Sequence, residues 1–321
     1  MPLLLSQHAK RLARWSLWLE ETLLAPVPHR QVVLAVPKHL RPYFLYYRAL
    51  LGDLSRVAAR TLTAFVRATT GERDLSVGLV ASIQTHGSLA NWHPHLHLLV
   101  TDGGFRPDGS FVPLPLPDVA TLTEPLRRGV LRRFVRRGLL EEATALGMLA
   151  WPHSGFHVHD GVWVPAEDRA FATRLARYCA RHPVTLGRLA PNRVGSGLAY
   201  RADTGTVTYQ SDQPSGPKAG AETVDALEFL ARVVSHIPNK GQVLQRYYGW
   251  YANRTRGIRR RACTAEPPPV VEAEAMPPRA PRSPPPLGRA AAPDLRGRPA
   301  ALSPVRLRHA RRRGHYPVGS P

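Results

Sequence analysis

Cysteine is almost missing from this chain of 321 residues, which has only Cys179 and Cys263. A disulfide framework and a cysteine-built zinc site are both excluded, and a reducing, cytoplasmic setting is expected. Carboxylates are scarce as well: 23 Asp and Glu stand against 44 Lys and Arg, for a net charge of +21. That imbalance points to a polyanionic partner, nucleic acid first, although a GC-rich coding sequence also accumulates Arg, Pro and Ala. Long apolar runs are lacking; none approaches the roughly 18 residues of a membrane span. The apolar start, Met1 to Leu5, is too short for a secretory signal and soon meets Lys10, Arg11 and Arg14. No internal repeat is evident. What remains is 43% hydrophobic, enough for one sizeable core or two small ones.

Periodicity divides the chain into 1–25, an amphipathic helix over Leu3–Leu24; 26–262, a mixed domain; and 263–321, a Pro- and Arg-rich tail expected to be disordered. The tail ends in an arginine cluster, Arg306 to Arg313. Within 26–262, Gln31–Val36 reads as a strand, Leu40–Thr69 as a long helix, and Leu75–Gln84 and His95–Thr101 as the two strands of an antiparallel hairpin. A helix over Ala120–Leu149 carries Arg127, Arg128, Arg132, Arg133, Arg136 and Arg137 on a broad solvated or phosphate-facing surface. A smaller inserted region, about 151–210, has a helix over Ala170–Arg181 and short strands at Val162–Val164 and Thr206–Tyr209. Helices over Glu222–His236 and Gln242–Asn253 complete the domain, split at Pro238-Asn239-Lys240-Gly241. The class is α+β, a central antiparallel sheet with flanking helices.

His93-Pro94-His95-Leu96-His97-Leu98 is the most informative stretch. Strand side chains alternate faces, so His95 and His97 point one way while Leu96 and Leu98 pack the other. Two imidazoles at this spacing can chelate one divalent ion, or can simply make a half-exposed His-rich strand. If the hairpin loop is symmetrical about Leu89 and Ala90, Gln84 lies across from His95 and offers an oxygen as third ligand; His93 and His86 are alternatives. A second pair, His157-Val158-His159, is read as a structural or surface pair.

The other notable stretch is Arg246-Tyr247-Tyr248-Gly249-Trp250-Tyr251. On a helix Tyr247 and Tyr251 share a face and Tyr248 is turned about 100° from Tyr247, although Tyr248 and Tyr251, three apart, also share one. Such a cluster suits aromatic core or base stacking as well as nucleophilic chemistry. Around it Lys240, Arg246, Arg254, Arg256, Arg259 and Arg260 can meet phosphates. A tyrosine hydroxyl attacking a phosphodiester needs help, because its pKa near 10 makes it a poor nucleophile, and an imidazole-held ion supplies that help as a Lewis acid.

From Pro26 to Gly257 the sequence resembles the two-tyrosine rolling-circle insertion-sequence transposases of the HUH endonuclease superfamily. The matching stretches are Ser82–Thr85, Asn91–His97, Val100–Gly104, Ala176–Arg181 and His236–Pro238 through Tyr247–Tyr251. The resemblance implies an HUH-type sheet, His95 and His97 as ligands of Mg2+ or Mn2+, and Tyr247 and Tyr251 as paired nucleophiles. It also implies a 5′-phosphotyrosine intermediate with a free 3′ hydroxyl. The partners implied are single-stranded DNA at element ends and target, with host replication machinery as a further one, and the location is the bacterial cytoplasm and nucleoid. Members of the family usually begin with a Cys-rich zinc-binding module, which this chain lacks, since no cysteine precedes Cys179. A catalytically inactive DNA-binding remnant and an HUH replication initiator or relaxase are the rival readings.

Overall fold

A computed structural model describes residues 2–115, 119–180, 197–211 and 219–262. The tail expected over 263–321 lies outside the described residues, as does Arg181. In chain order the elements are α1 (Pro2–Trp18), continued by a π-helical turn Leu19–Leu23; β1 (His29–Ala35); α2 (Arg41–Tyr46); α3 (Ala49–Thr70); β2 (Gly78–His86); β3 (Trp92–Thr101); β4 (Gly103–Phe105) and β5 (Phe111–Pro113). There follow α4 (Thr123–Arg136), α5 (Glu142–Leu149), β6 (His157–Val164), α6 (Arg169–Cys179), β7 (Leu198–Arg201), β8 (Thr206–Gln210), β9 (Ala221–Asp225), α7 (Ala226–Ser235), β10 (Gln245–Gly249) and α8 (Asn253–Ala262). Among the described residues no helix is long and apolar enough to cross a membrane.

The central sheet has five strands in the order β10-β2-β3-β1-β6, every pair antiparallel. Side-chain alternation divides its two faces. Val32, Leu34, Leu79, Ala81, Ile83, Leu96 and Leu98 turn to one side, where they join the buried faces of α3 and α4 in the main core. Val80 and Leu99 turn to the other side and pack with Leu19, Leu23, Leu175, Ala176 and Cys179 from the end of α1 and from α6. The sheet is thus sandwiched between helices, as expected of an α+β chain.

Several elements differ from the reading by periodicity. The helix expected over 40–69 breaks at Tyr47, whose ψ of 71° leaves the helical region, and the one expected over 120–149 breaks at Gly138, with φ of 65°. His157–Val164 is an edge strand of the central sheet and α6 lies on that sheet, so 151–180 belongs to the main body. The separate small sheet is β7-β8-β9, residues 198–225. The largest difference is at 242–253, where the expected helix is β10 followed by a turn. Aromatic residues favour a pleated surface, and the edge of β2 offers unpaired backbone groups that Arg246, Tyr247 and Tyr248 satisfy opposite Ala81, Val80 and Leu79. Gly249 ends the strand with φ of 56°, and a Cβ there would lie 1.9 Å from the carbonyl oxygen of Val77. Only glycine fits that close approach.

The arginine face of α4 also proves partly structural. Arg133 and Arg137 reach across to Asp53 on α3 at 2.8 Å, and Arg56 joins them. Arg127 is buried and donates to the carbonyls of Met148 and Trp151. Burial alone would raise the Asp53 carboxyl, but hydrogen bonds from Arg133, Arg56 and Arg137 hold it below its ordinary value. The Asp53 side chain is only 2% exposed, so removing it leaves three guanidiniums facing a vacated pocket. Asp53→Ala is expected to cost about 3–5 kcal/mol in denaturant unfolding. Because the folded-state pKa is depressed, the stabilisation is present above the ordinary carboxylate value and fades as pH falls through the folded one. The wild type should therefore lose its advantage over Asp53→Asn on acidification, an outcome that urea titrations at pH 7 and below pH 4 can check.

Candidate metal and nucleophile site

Strand pairing arranges the α6-facing side of the sheet into rows. Gln84, His95, Ala35 and His157 form one row across β2, β3, β1 and β6; Ser82, His97, Val33 and His159 form the next. Val80, Leu99 and Gln31 follow, with Tyr247 opposite Val80 on β10. His95 and His97 are half-buried because Leu96 and Leu98, wholly buried, anchor β3 from below. Gln84 does stand directly across from His95.

The imidazoles converge. His95 Nε2 and His97 Nε2 are 3.1 Å apart, with ring centroids at 4.9 Å. Two nitrogens bound to one ion at about 2.0–2.1 Å stand roughly 3 Å apart when the angle at the ion is near 90–110°, so this separation suits a shared divalent ion. The outer ring atoms are also held. His95 Nδ1 is 2.7 Å from the His93 carbonyl oxygen, and an Nδ1–H donating there leaves the Nε2 lone pair for a ligand role. His97 Nδ1 is 3.1 Å from Nε2 of Gln31, a buried side chain that also reaches Cys179 Sγ at 3.2 Å. As that amide stands, Gln31 donates to Nδ1 and the His97 proton sits on Nε2; rotating the amide presents Oε1 and moves the proton to Nδ1. Burial, reinforced by the neighbouring His95, pushes His97 down to about 3, so the ring is neutral at working pH as a metal ligand must be.

Gln84 donates from Nε2 to the Cys179 carbonyl at 2.5 Å, which leaves Oε1 as the atom it can offer elsewhere. Among the described residues no three His, Cys, Asp or Glu side chains gather around one point. The donors on hand there are two imidazoles and, paired across the strands with His95, the Gln84 side chain. His93 lies beside His95, ring centroids 5.1 Å apart, while His86 packs edge-on against His236 at 5.9 Å. Gln84→Ala should weaken Mn2+ binding, measured by calorimetry, by less than either histidine substitution, since a neutral oxygen binds such an ion more weakly than an imidazole. Equal losses for all three variants would make Gln84 a full partner and overturn this ranking.

His157 and His159 are exposed, with parallel rings 6.2 Å apart. They occupy the same two rows as His95 and His97 but across β1, about 10 Å away by strand spacing, too far to share an ion with the first pair.

The tyrosines expected as nucleophiles do not share a helix face. Tyr247 lies on β10 and its hydroxyl accepts a hydrogen bond from Trp15 Nε1 at 2.5 Å, beneath α1. Burial raises its phenol above the ordinary value, partly offset by Trp15. Tyr251 is wholly buried; its hydroxyl accepts from the Ala25 N–H at 3.1 Å and meets His29 Nε2 at 2.7 Å, and burial pushes its pKa up strongly. Tyr248 points to the opposite face, with its hydroxyl 2.7 Å from Ser55 Oγ.

A different tyrosine stands at the imidazoles. Tyr178, near the end of α6, is 51% exposed and its ring meets that of His97 edge-on at 6.5 Å. Cys179, buried beside it and pushed up to about 12 by desolvation, is an inert anchor that fixes this end of α6 through Gln31 and Gln84. Tyr178 lies in Ala176–Arg181, one of the stretches that carry the family resemblance, but a single tyrosine on an amphipathic helix has no pattern of its own that marks it as a site residue. The available signal was positional: Ala172, Leu175, Ala176 and Cys179 mark the buried stripe of the helix, and Tyr178 flanks it.

Of the cations expected to meet DNA, Arg256 lies over the Trp18 ring at 5.0 Å and Arg259 over the Trp250 ring at 3.7 Å. Lys240, Arg254 and Arg260 are exposed, and half-buried Arg246 has its guanidinium beside Gly52 of α3.

Comparison with known proteins supplies the family. The chain is 31% identical over 247 residues to the transposase for insertion sequence element IS801 of Pseudomonas savastanoi pv. phaseolicola, covering 73% of this chain and 57% of that one. It is 27% identical over 270 residues to "Putative transposase y4qJ" of Sinorhizobium fredii (strain NBRC 101917 / NGR234), covering 74% of this chain and 63% of that one. The chain thus spans about three fifths of the length of these curated relatives. No solved structure matches. The family model Y2_Tnp, described as "Putative transposase", matches residues 78–258, from the first residue of β2 through the histidine strand and Tyr178 to α8. With more than half its length inside that match, and the paired histidines and four of the five strands of their sheet within it, the chain belongs to the Y2_Tnp transposase family.

Proposed function

We propose that this chain is the strand-cleaving core of an insertion-sequence transposase, acting on single-stranded DNA at element ends and target, with Tyr178 as the nucleophile beside His95 and His97. The observation that carries this reading is the convergence of two imidazoles, their Nε2 atoms 3.1 Å apart, with an exposed tyrosine at the edge of one of them. His95, His97 and Oε1 of Gln84 are the groups that would hold a divalent ion, Mn2+ or Mg2+, which would supply positive charge for the scissile phosphate. Gln31 and the His93 carbonyl orient the two imidazoles, and Cys179 fixes the end of α6 so that Tyr178 stays in reach.

In the reaction the Tyr178 hydroxyl oxygen bonds to phosphorus while the bond from phosphorus to the 3′ oxygen breaks. The phenol proton is lost to solvent and the departing oxygen takes up a proton, leaving a 3′ hydroxyl and a 5′-phosphotyrosine. Attack on that phosphotyrosine by another 3′ hydroxyl reverses the bookkeeping and joins the strands. Tyr247 and Tyr251, with their hydroxyls engaged under α1 and beside His29, serve as structural groups in this account.

The test is to incubate the protein with a fluorescent single-stranded oligonucleotide carrying an element end, with Mn2+. A covalent adduct that survives detergent, formed only with divalent ion and accompanied by a product ending in a 3′ hydroxyl, is the expected result. Cleavage without an adduct, leaving a 5′ phosphate, would mean that water is the nucleophile and would sink the tyrosine mechanism.

A further inference from the structure

On the sheet face opposite the histidines, the exposed side of α3 and the end of β10 enclose a groove of about 890 Å³. Its walls carry Arg56, Arg60, Arg67 and Arg73, its floor is made of small residues of α3 such as Ala64, and Tyr248 closes one end. No carboxylate lines it. Two of the nearby acids are engaged elsewhere, Asp53 with Arg56, Arg133 and Arg137, and Glu72 with Arg106, while Asp74, next to Arg73, is exposed. Arg67 also braces the fold by donating to the Leu75 carbonyl at 2.9 Å. Arg60 and Arg73 are exposed, and among the described residues neither enters an ion pair.

We infer that this groove binds the sugar–phosphate backbone of a second single strand of DNA, held on the face away from the cleavage site. The inference rests on the strand-transfer reading above, which requires one protein to keep two strands at once. Arg56, Arg60 and Arg67 recur on one side of α3 over about 16 Å, the axial length of several nucleotides, so successive phosphates can meet successive guanidiniums. The small floor residues let a backbone approach closely, and an arginine fork recognises phosphate oxygens without reading base sequence. Tyr247 and Tyr248, adjacent on β10, face the two sides of the sheet, and Tyr248 is the one that lines the groove.

The experiment uses the full chain with Tyr178→Phe, so that no cleavage intervenes, and two 12-nucleotide strands, one biotinylated and one fluorescent. Capture on streptavidin reads the first strand through bound protein and the second through fluorescence. In the Arg60→Glu/Arg73→Glu variant bridged fluorescence should fall at least tenfold, while protein captured by the biotinylated strand falls less than twofold. The Arg60→Lys/Arg73→Lys variant should keep bridging within threefold, since charge is retained. Undiminished bridging in the glutamate variant overturns the inference. So does a parallel loss in the lysine variant, or a loss of cleavage as large as the loss of bridging when the glutamate pair is placed in the Tyr178 protein, because the groove would then serve the strand being cut. Bridging needs no covalent chemistry, so it remains readable if the proposed cleavage reaction fails.

Discussion

Tyr178→Phe is expected to leave a folded protein that binds single-stranded DNA but forms no covalent adduct, with cleavage reduced roughly a thousandfold or more, as for loss of a nucleophile. Phenylalanine keeps the exposed ring against His97 and removes only the hydroxyl, so neither α6 nor the histidine pair is disturbed. Tyr247→Phe and Tyr251→Phe behave differently. Tyr251→Phe strands the Ala25 N–H and the His29 ring without their hydroxyl partner, at a cost of about 1–3 kcal/mol in stability, while cleavage per folded molecule persists. Tyr247→Phe deprives the Trp15 indole of its acceptor and has a smaller effect, the site being half-buried. Peptide mapping of the wild-type adduct decides among them. A phosphotyrosine on Tyr247 or Tyr251 would show that α1 and the turn after β10 move aside to expose those hydroxyls, and would return the chemistry to the pair that the sequence suggested.

The second large effect is expected at the imidazoles. His95→Ala or His97→Ala should lower Mn2+ affinity by more than about a hundredfold, beyond what loss of an outer partner alone produces, and abolish cleavage. Binding of single-stranded DNA at low salt should stay within a few-fold of wild type, because a chain with net charge +21 draws most of its affinity from phosphate contacts. His157→Ala, two strands away, is expected to leave metal affinity and cleavage unchanged. Loss of DNA binding in step with cleavage, at unaltered metal affinity, would mean that the histidines contact DNA rather than an ion. A His157 variant as defective as His95→Ala would shift the site to the sheet edge.

The parts legible in the sequence are those governed by the shortest-range rules. Period-two alternation along His95-Leu96-His97-Leu98 determined that both imidazoles share a face, because Leu96 and Leu98 could be satisfied only in the core. A hairpin loop taken as symmetrical about Leu89 and Ala90 puts Gln84 across from His95, and that pairing is present although the register shifts by one residue between Gln84 and His86. Charge balance alone indicated a polyanion as partner. Tertiary structure decided the rest, and for identifiable reasons. Gln245–Gly249 can pair as a strand or coil as a helix, and the open edge of β2 together with the close approach of Gly249 to Val77 selected the strand, separating Tyr247 from Tyr251. The strand at His157–Val164 could not be placed in the central sheet from its own pattern, since its partner β1 lies more than a hundred residues earlier. Tyr178 gained its place beside His97 only when the buried stripe of α6 docked across β2 and β3, a long-range packing event that leaves no mark on the residues next to it.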